Sequence, residues 1–148
     1  MGLFDAIDVS GSGLSAERLR MDVTSENLAN AQTTRGADGQ PYRRKEVVLQ
    51  EAGGQVTFGN ALKVAMGVAA GASHGVQVAG IVADASPLKR IYDPGHPDAD
   101  ANGYVTMPNV NTVTEMTDLI SSSRAYEADV TAMQSAKQMF SKTLDILR

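Results

Sequence analysis

Residues 113–148, VTEMTDLISSSRAYEADVTAMQSAKQMFSKTLDILR, decide the fold. Counted from Met116, apolar side chains recur in alternating steps of three and four at Met116, Leu119, Tyr126, Val130, Met133, Phe140, Leu144 and Leu147, and only Ser123 and Lys137 break the series. That period of 3.5 is the seam one helix offers to another in a coiled coil. At 1.5 Å per residue the helix from Val113 to Arg148 runs roughly 50 Å, more than a small domain needs, so it requires a partner. Pro108 cannot continue it backwards, and Thr112-Val113-Thr114-Glu115 reads as a capping box that starts the helix near Val113. Glu115 and Asp118 near its start and Lys137, Lys142 and Arg148 toward its end complement the macrodipole. Ala125, Ala128, Ala132 and Ala136 lie off the seam and admit a further helix.

A second, narrower and weaker seam lies in residues 3–31, with Ile7, Leu14, Met21 and Leu28 spaced by sevens and Leu19, Val23, Ala16 and Ala29 beside or between them. Ser10-Gly11-Ser12-Gly13 interrupts it, and a glycine inside a helix costs about 1 kcal/mol relative to alanine. The firm part is therefore expected from Leu14 to Ala31, with flexibility at the glycines. Asn30, Gln32, Thr33, Thr34 and Gly36 then supply stop and turn chemistry. Gly11-Ser12-Gly13-Leu14-Ser15-Ala16 matches the dinucleotide pattern G-x-G-x-x-G/A, with Asp38 downstream. No buried strand precedes it and no second parallel strand follows, so the nucleotide reading fails on context.

Between the helices a small antiparallel β region is expected. Tyr42 to Gln50 reads as a strand entering behind the basic trio Arg43-Arg44-Lys45, which is either a solvated face or an intersubunit charge contact. Gly53-Gly54 marks a turn and Val56 to Phe58 a short strand, while Asn60 to Ala72 is ambiguous between helix and strand. Gly75 to Asp84 alternates, with Val76, Val78 and Val82 facing one way. Pro87 to Pro108 reads as loop. Its Asp98, Asp100, Asn102 and Gly103 match the opening of an EF-hand loop, but the bidentate glutamate position falls on Asn109 and prolines stand where helices would be needed. His74 and His96 have no spaced companions for zinc, and no serine, histidine and acid set has a motif behind it.

Composition narrows the classes further. The chain has 148 residues, a net charge of -4, 43% hydrophobic residues, 5% aromatics and no cysteine. This excludes disulfides and thiolate chemistry, and gives no basic footprint for nucleic acid and no polybasic membrane patch. The most apolar run, Ala61 to Gly71, is too short for a bilayer span of about 20 residues, and the first basic residue is Arg18, so neither membrane insertion nor a cleaved secretory signal is expected. The fold class expected is α+β. Long N- and C-terminal helices pair as a coiled coil, divided as residues 1–36, a β and loop region 37–110, and residues 111–148.

Two blocks together carry a family resemblance. Ser25-Glu26-Asn27-Leu28-Ala29-Asn30-Ala31-Gln32-Thr33-Thr34 resembles the asparagine-rich signature of the bacterial flagellar rod and hook proteins. Tyr92-Asp93-Pro94-Gly95-His96-Pro97-Asp98-Ala99-Asp100, Gly103-Tyr104-Val105-Thr106-Met107-Pro108-Asn109-Val110-Asn111, Ser123-Arg124-Ala125-Tyr126-Glu127-Ala128 and Ala136-Lys137-Gln138-Met139-Phe140 resemble the proximal-rod branch of that family, as does Pro41-Tyr42-Arg43-Arg44-Lys45. The alanine- and glycine-rich stretch from about Gly59 to Ser73 departs from the family pattern.

The resemblance implies a non-enzymatic structural subunit. It would be exported without a cleaved signal by the flagellar type III apparatus and would polymerise with other rod proteins and copies of itself in the periplasmic basal body. No cofactor, metal, nucleic acid or small-molecule substrate is expected. The assembly interface expected on the two seams and the asparagine block comprises Leu14, Met21, Asn27, Leu28, Asn30, Met116, Leu119, Tyr126, Val130, Met133, Phe140, Leu144 and Leu147. The alternative from the seams alone is a soluble coiled-coil adaptor or export chaperone.

Overall fold

The computed structural model describes residues 3–36, 38–52 and 75–146. The turn at Gly53-Gly54, the strand at Val56 to Phe58, the ambiguous run Asn60 to Ala72, His74 and Leu147 lie outside them. Helix α1 spans Leu3–Ala29 and helix α2 spans Thr112–Ile146, 35 residues. Between them come β1 (Lys45–Glu51), β2 (Val76–Ala83), β3 (Lys89–Tyr92) and β4 (Tyr104–Met107). The strands form two two-stranded sheets, β1 with β2 and β3 with β4. The α+β class is as the sequence predicts.

Two compact units share these elements: one gathers Met1–Arg18, Leu49–Ala79 and Arg124–Arg148, the other Leu19–Val48 and Gly80–Ser123. In the first unit α1 does not break at its glycines. A Cβ on Gly13 would lie 2.7 Å from Asp129 Oδ2, and one on Gly11 would lie 3.9 Å from Met133 Cε. Gly13 is therefore a close-approach position for α2, while at Gly11 a side chain would make only ordinary contact with Met133. Ser12 donates to Val9 O at 2.7 Å and accepts from Val76 N at 3.0 Å, while Gly75 comes so close to Ser12 that a Cβ there would collide with its Oγ. The dinucleotide-like motif is thus a notch in a helix, filled by the start of β2.

In the second unit, the region expected to be loop holds the β3–β4 hairpin. Its strands pair antiparallel, Lys89 opposite Met107 and Tyr92 opposite Tyr104. Four-residue strands are too short for alternation to betray them. Asp100 Oδ1 accepts from Asn102 N at 2.8 Å and Tyr104 N at 3.0 Å, which shapes the return into β4. The backbone donors of Tyr104 and then Asn102 hold this carboxyl below its usual range. Gly103 takes φ +79, and a Cβ there would come 2.9 Å from the Tyr92 ring. Gly103→Ala is accordingly expected to lower stability by about 1–2 kcal/mol, read as a shift of the urea midpoint, because both backbone conformation and ring contact oppose a side chain.

Among the described side chains the fully buried apolar ones are Ala16, Val23, Val105, Val110 and Ala136, joined by Pro108. No leucine, isoleucine, methionine or aromatic ring in that set is fully buried. Of the residues expected along the α1 seam, Ala16 and Val23 are buried, while Leu14, Met21 and Leu28, about 200° of helix turn from them, are half-buried. In the β1–β2 sheet Val78 is half-buried, while Val76 and Val82, at even steps from it along β2, are exposed.

Candidate functional site

The asparagine block folds inward in the second unit. Asn27 near the end of α1 is 1% exposed. Its Nδ2 donates to Lys45 O at 2.8 Å and Glu115 Oε2 at 3.0 Å, and its Oδ1 accepts from Tyr42 OH at 2.8 Å and Lys45 N at 2.9 Å. All four hydrogen bonds open to a primary amide are therefore made. One side chain thereby ties α1, the start of β1 and the first turn of α2. Asn30 works locally: its Nδ2 donates to Glu26 O and its Oδ1 accepts from Thr33 Oγ1, where α1 gives way to a turn.

Glu115, also 1% exposed, accepts from Arg44 Nε at 2.6 Å. A buried carboxylate needs such a partner, since an unpaired charge in the interior is costly. The Arg44 side chain lies also 3.5 Å from Glu46 and 3.7 Å from Asp118, and its backbone N donates to Asn109 Oδ1 at 2.9 Å. The hydrogen bond to Glu115 raises the Arg44 pKa above its already high ordinary value. Two expectations are corrected here. Glu115 does not close a capping box: Asn111 caps α2 by accepting from Val113 N at 3.1 Å, and the carboxylate turns to Arg44 and Asn27. Nor is the basic trio a uniform face, because Arg44 and Lys45 pair within the unit, Lys45 with Glu26 at 2.5 Å, while Arg43 stays exposed.

Burial, and then the negative charges of Glu26 and Glu115, push the Tyr42 hydroxyl up to about 12 from 10.0. A raised folded-state pKa for a phenol means that the neutral ring is favoured in the fold. Its contribution is complete below pH 10 and is lost as pH rises from 10 toward 12. Tyr42→Phe should show a smaller alkaline loss of urea stability over that window than the unaltered chain. Equal losses would separate Tyr42 from the alkaline response.

The apolar seam of α2 stands in contrast to this closed cluster. Toward its start Val113 is 70%, Met116 52% and Ile120 55% exposed, and toward its end Met139 58%, with Phe140 and Leu144 also exposed. Leu119, Tyr126, Val130 and Met133 are half-buried, as are Leu14, Met21 and Leu28 of α1. What α2 buries completely is Glu115, Ser122 and Ala136, in steps of seven and fourteen, a line displaced from the expected seam. Ser122 accepts from Arg20 Nε at 2.8 Å, linking α1 and α2 within the second unit. In the first unit Gly11 and Gly13 of α1 face Met133 and Asp129 of α2, and the large apolar side chains of both helices are half-buried or exposed. Val113, Ile120 and Met139 belong to this open surface but fall off the 3.5-residue series. Only their apolar character on an otherwise polar helix marked them. Among the described residues no helix is long and apolar enough to cross a membrane.

Comparisons with known proteins agree with this anatomy. Residues 7–37 match the family described as flagella basal body rod protein, and residues 101–146 match the flagellar basal body rod FlgEFG protein C-terminal family. The first covers most of α1 and the asparagine block, the second the end of the β3–β4 hairpin and α2. The flagellar basal-body rod protein FlgC of Borreliella burgdorferi is 47% identical over 100% of this chain and 99% of its own length. That of Bacillus subtilis is 48% identical over 99% of each. That of Salmonella typhimurium is 43% identical over 99% of this chain and 98% of its own. With identity at this level along the whole length, the chain belongs to the flagellar basal-body rod protein FlgC family.

Proposed function

We propose that this chain is a structural subunit of the bacterial flagellar basal-body rod. It assembles with other rod proteins and with copies of itself through the faces of α1 and α2 that it leaves open. The observation that carries this reading is the exposed large apolar side chains on α2, in a chain whose described buried apolar side chains are only alanine, valine and proline. Burying a large apolar side chain gains about 1.5–3 kcal/mol, and the chain alone leaves half or more of that surface in solvent at Val113, Met116, Ile120, Met139 and Leu144. Repeated contacts between unlike faces would extend into an open helical stack, as a drive shaft and export passage require. The polar cluster at Asn27 and Glu115 serves the interface indirectly, by fixing α1, β1 and α2 so that the open faces are presented reproducibly.

The interface is assigned to Leu14, Met21, Leu28, Asn30, Met116, Leu119, Tyr126, Val130, Met133, Phe140, Leu144 and Leu147, with Asn27 as their internal support. The working place is the basal body in the periplasmic space, reached through the flagellar type III apparatus without a cleaved signal, and no catalytic role is assigned. The relatives' names favour the rod over an adaptor or chaperone. Isolation of detergent-resistant basal bodies tests the proposal: the chain should be found in them by peptide mass mapping. Its presence only in a soluble complex would refute the rod reading.

A further inference from the structure

We infer that Met116 and Met139 are sites of reversible oxidation by peroxides, and that their sulfoxides hold the chain out of the rod until they are reduced. The second half rests on the rod reading above. The chain has seven methionines and no cysteine, so thioether sulfur is its only soft two-electron reductant. Five methionines lie among the residues with described side chains, and they differ sharply in access. Met116 and Met139 are more than half exposed, whereas Met21, Met107 and Met133 are half-buried, Met133 with its methyl against Gly11.

The surroundings of the two open sulfurs give oxidation its consequence. Met116 lies three residues after Val113 and four before Ile120, on one exposed apolar face of α2. Met139 adjoins Phe140 on the open end of the same helix. In the reaction the peroxide O–O bond breaks, one oxygen bonds to sulfur, and the other leaves as water. Sulfur is oxidised by two electrons and the peroxide is reduced. The product is a polar, chiral sulfoxide that sulfoxide reductases restore to the thioether. Because both side chains face solvent in the free chain, the new dipole there remains hydrated and the fold is kept. On an apolar contact surface the same dipole has to be desolvated, so the loss falls on assembly. Assembly in turn covers the sulfurs, which confines the sensitivity to subunits not yet in place.

Hydrogen peroxide is the probe, applied to the purified full chain and to isolated basal bodies, with oxygen uptake at each methionine followed by peptide mass mapping. In the free chain Met116 and Met139 should gain one oxygen about tenfold faster than Met21, Met107 and Met133, with the circular dichroism unchanged. In basal bodies that lead should vanish. In cells pulsed with peroxide while the chain is being made, a strain lacking sulfoxide reductases should lose its rods at a dose the parent strain tolerates, with the unassembled chain carrying one oxygen at Met116 and at Met139. Equal oxidation rates at all five sulfurs, or equal loss of rods in both strains, overturns the inference. Basal bodies lacking the chain would refute the rod reading and its assembly consequence, while the order of oxidation in the free chain is judged on its own.

Discussion

Glu115→Ala is expected to lower the unfolding free energy by about 3 kcal/mol, the low end of the cost of breaking a buried ion pair by removing one partner. The carboxylate accepts from Arg44 Nε at 2.6 Å and Asn27 Nδ2 at 3.0 Å, and alanine satisfies neither. Arg44 keeps Glu46 at 3.5 Å and Asp118 at 3.7 Å, both on exposed or half-exposed side chains, which is why the upper end of the range is not reached. Asn27 keeps its bond to Lys45 O, so its amide is half satisfied on the donor side. Against a typical total of about 5–15 kcal/mol the loss is large. Urea unfolding monitored by circular dichroism measures it, with an unchanged slope required for the difference to be read as stability. Glu115→Gln retains an acceptor for one of the two donors and should lose roughly half as much. A loss below about 0.5 kcal/mol for the alanine variant, the scale of an ordinary surface substitution, would mean that the cluster does not hold the unit together.

The same cluster shows where a linear reading of the chain stops. The long helix was legible because 35 residues carry a periodic signal that outweighs any local ambiguity. The stop after Ala29 was legible because Asn30, Thr33 and Gly36 have strong local chemistry. Glu115 carried a local explanation as well, three residues after Thr112, and that explanation was wrong. Nothing near it in sequence announces Arg44, 71 residues away. Arg44 likewise sat in a run of three bases that reads as one feature, although the fold gives its neighbours Arg43 and Lys45 different surroundings. Gly11 and Gly13 illustrate a related gap. Helix propensity marks them as breaks, but α1 runs through both, and at Gly13 the approach of Asp129 favours the absence of a side chain. The resemblance located Asn27 before its role was known, since family likeness preserves a residue's identity without saying whether it turns inward or outward.

Ile120→Asp should abolish motility while leaving the free chain folded. Ile120 is 55% exposed, so an aspartate there costs the isolated molecule only about 1 kcal/mol and leaves it folded. At an apolar contact the same carboxylate has to lose its hydration with no cation supplied, a penalty of several kcal/mol for each interface it enters. Because a stack repeats the contact, the defect is repeated in each copy, and swimming should fall to the background of a strain lacking the chain. Val130→Asp should block assembly equally, but with a larger loss of stability, because Val130 is already half-buried. The pair therefore separates two uses of one helix. If Ile120→Asp cells swim normally and their basal bodies contain the variant chain, the outer face of α2 is not a contact surface, and the interface must lie on the half-buried residues Leu119, Tyr126, Val130 and Met133. If Ile120→Asp alone unfolds the chain, the exposed row belongs to the fold rather than to assembly. Loss of rods from a folded, exported Ile120→Asp chain is the result that ties the small core to the open seam, as two consequences of reserving large apolar side chains for neighbours.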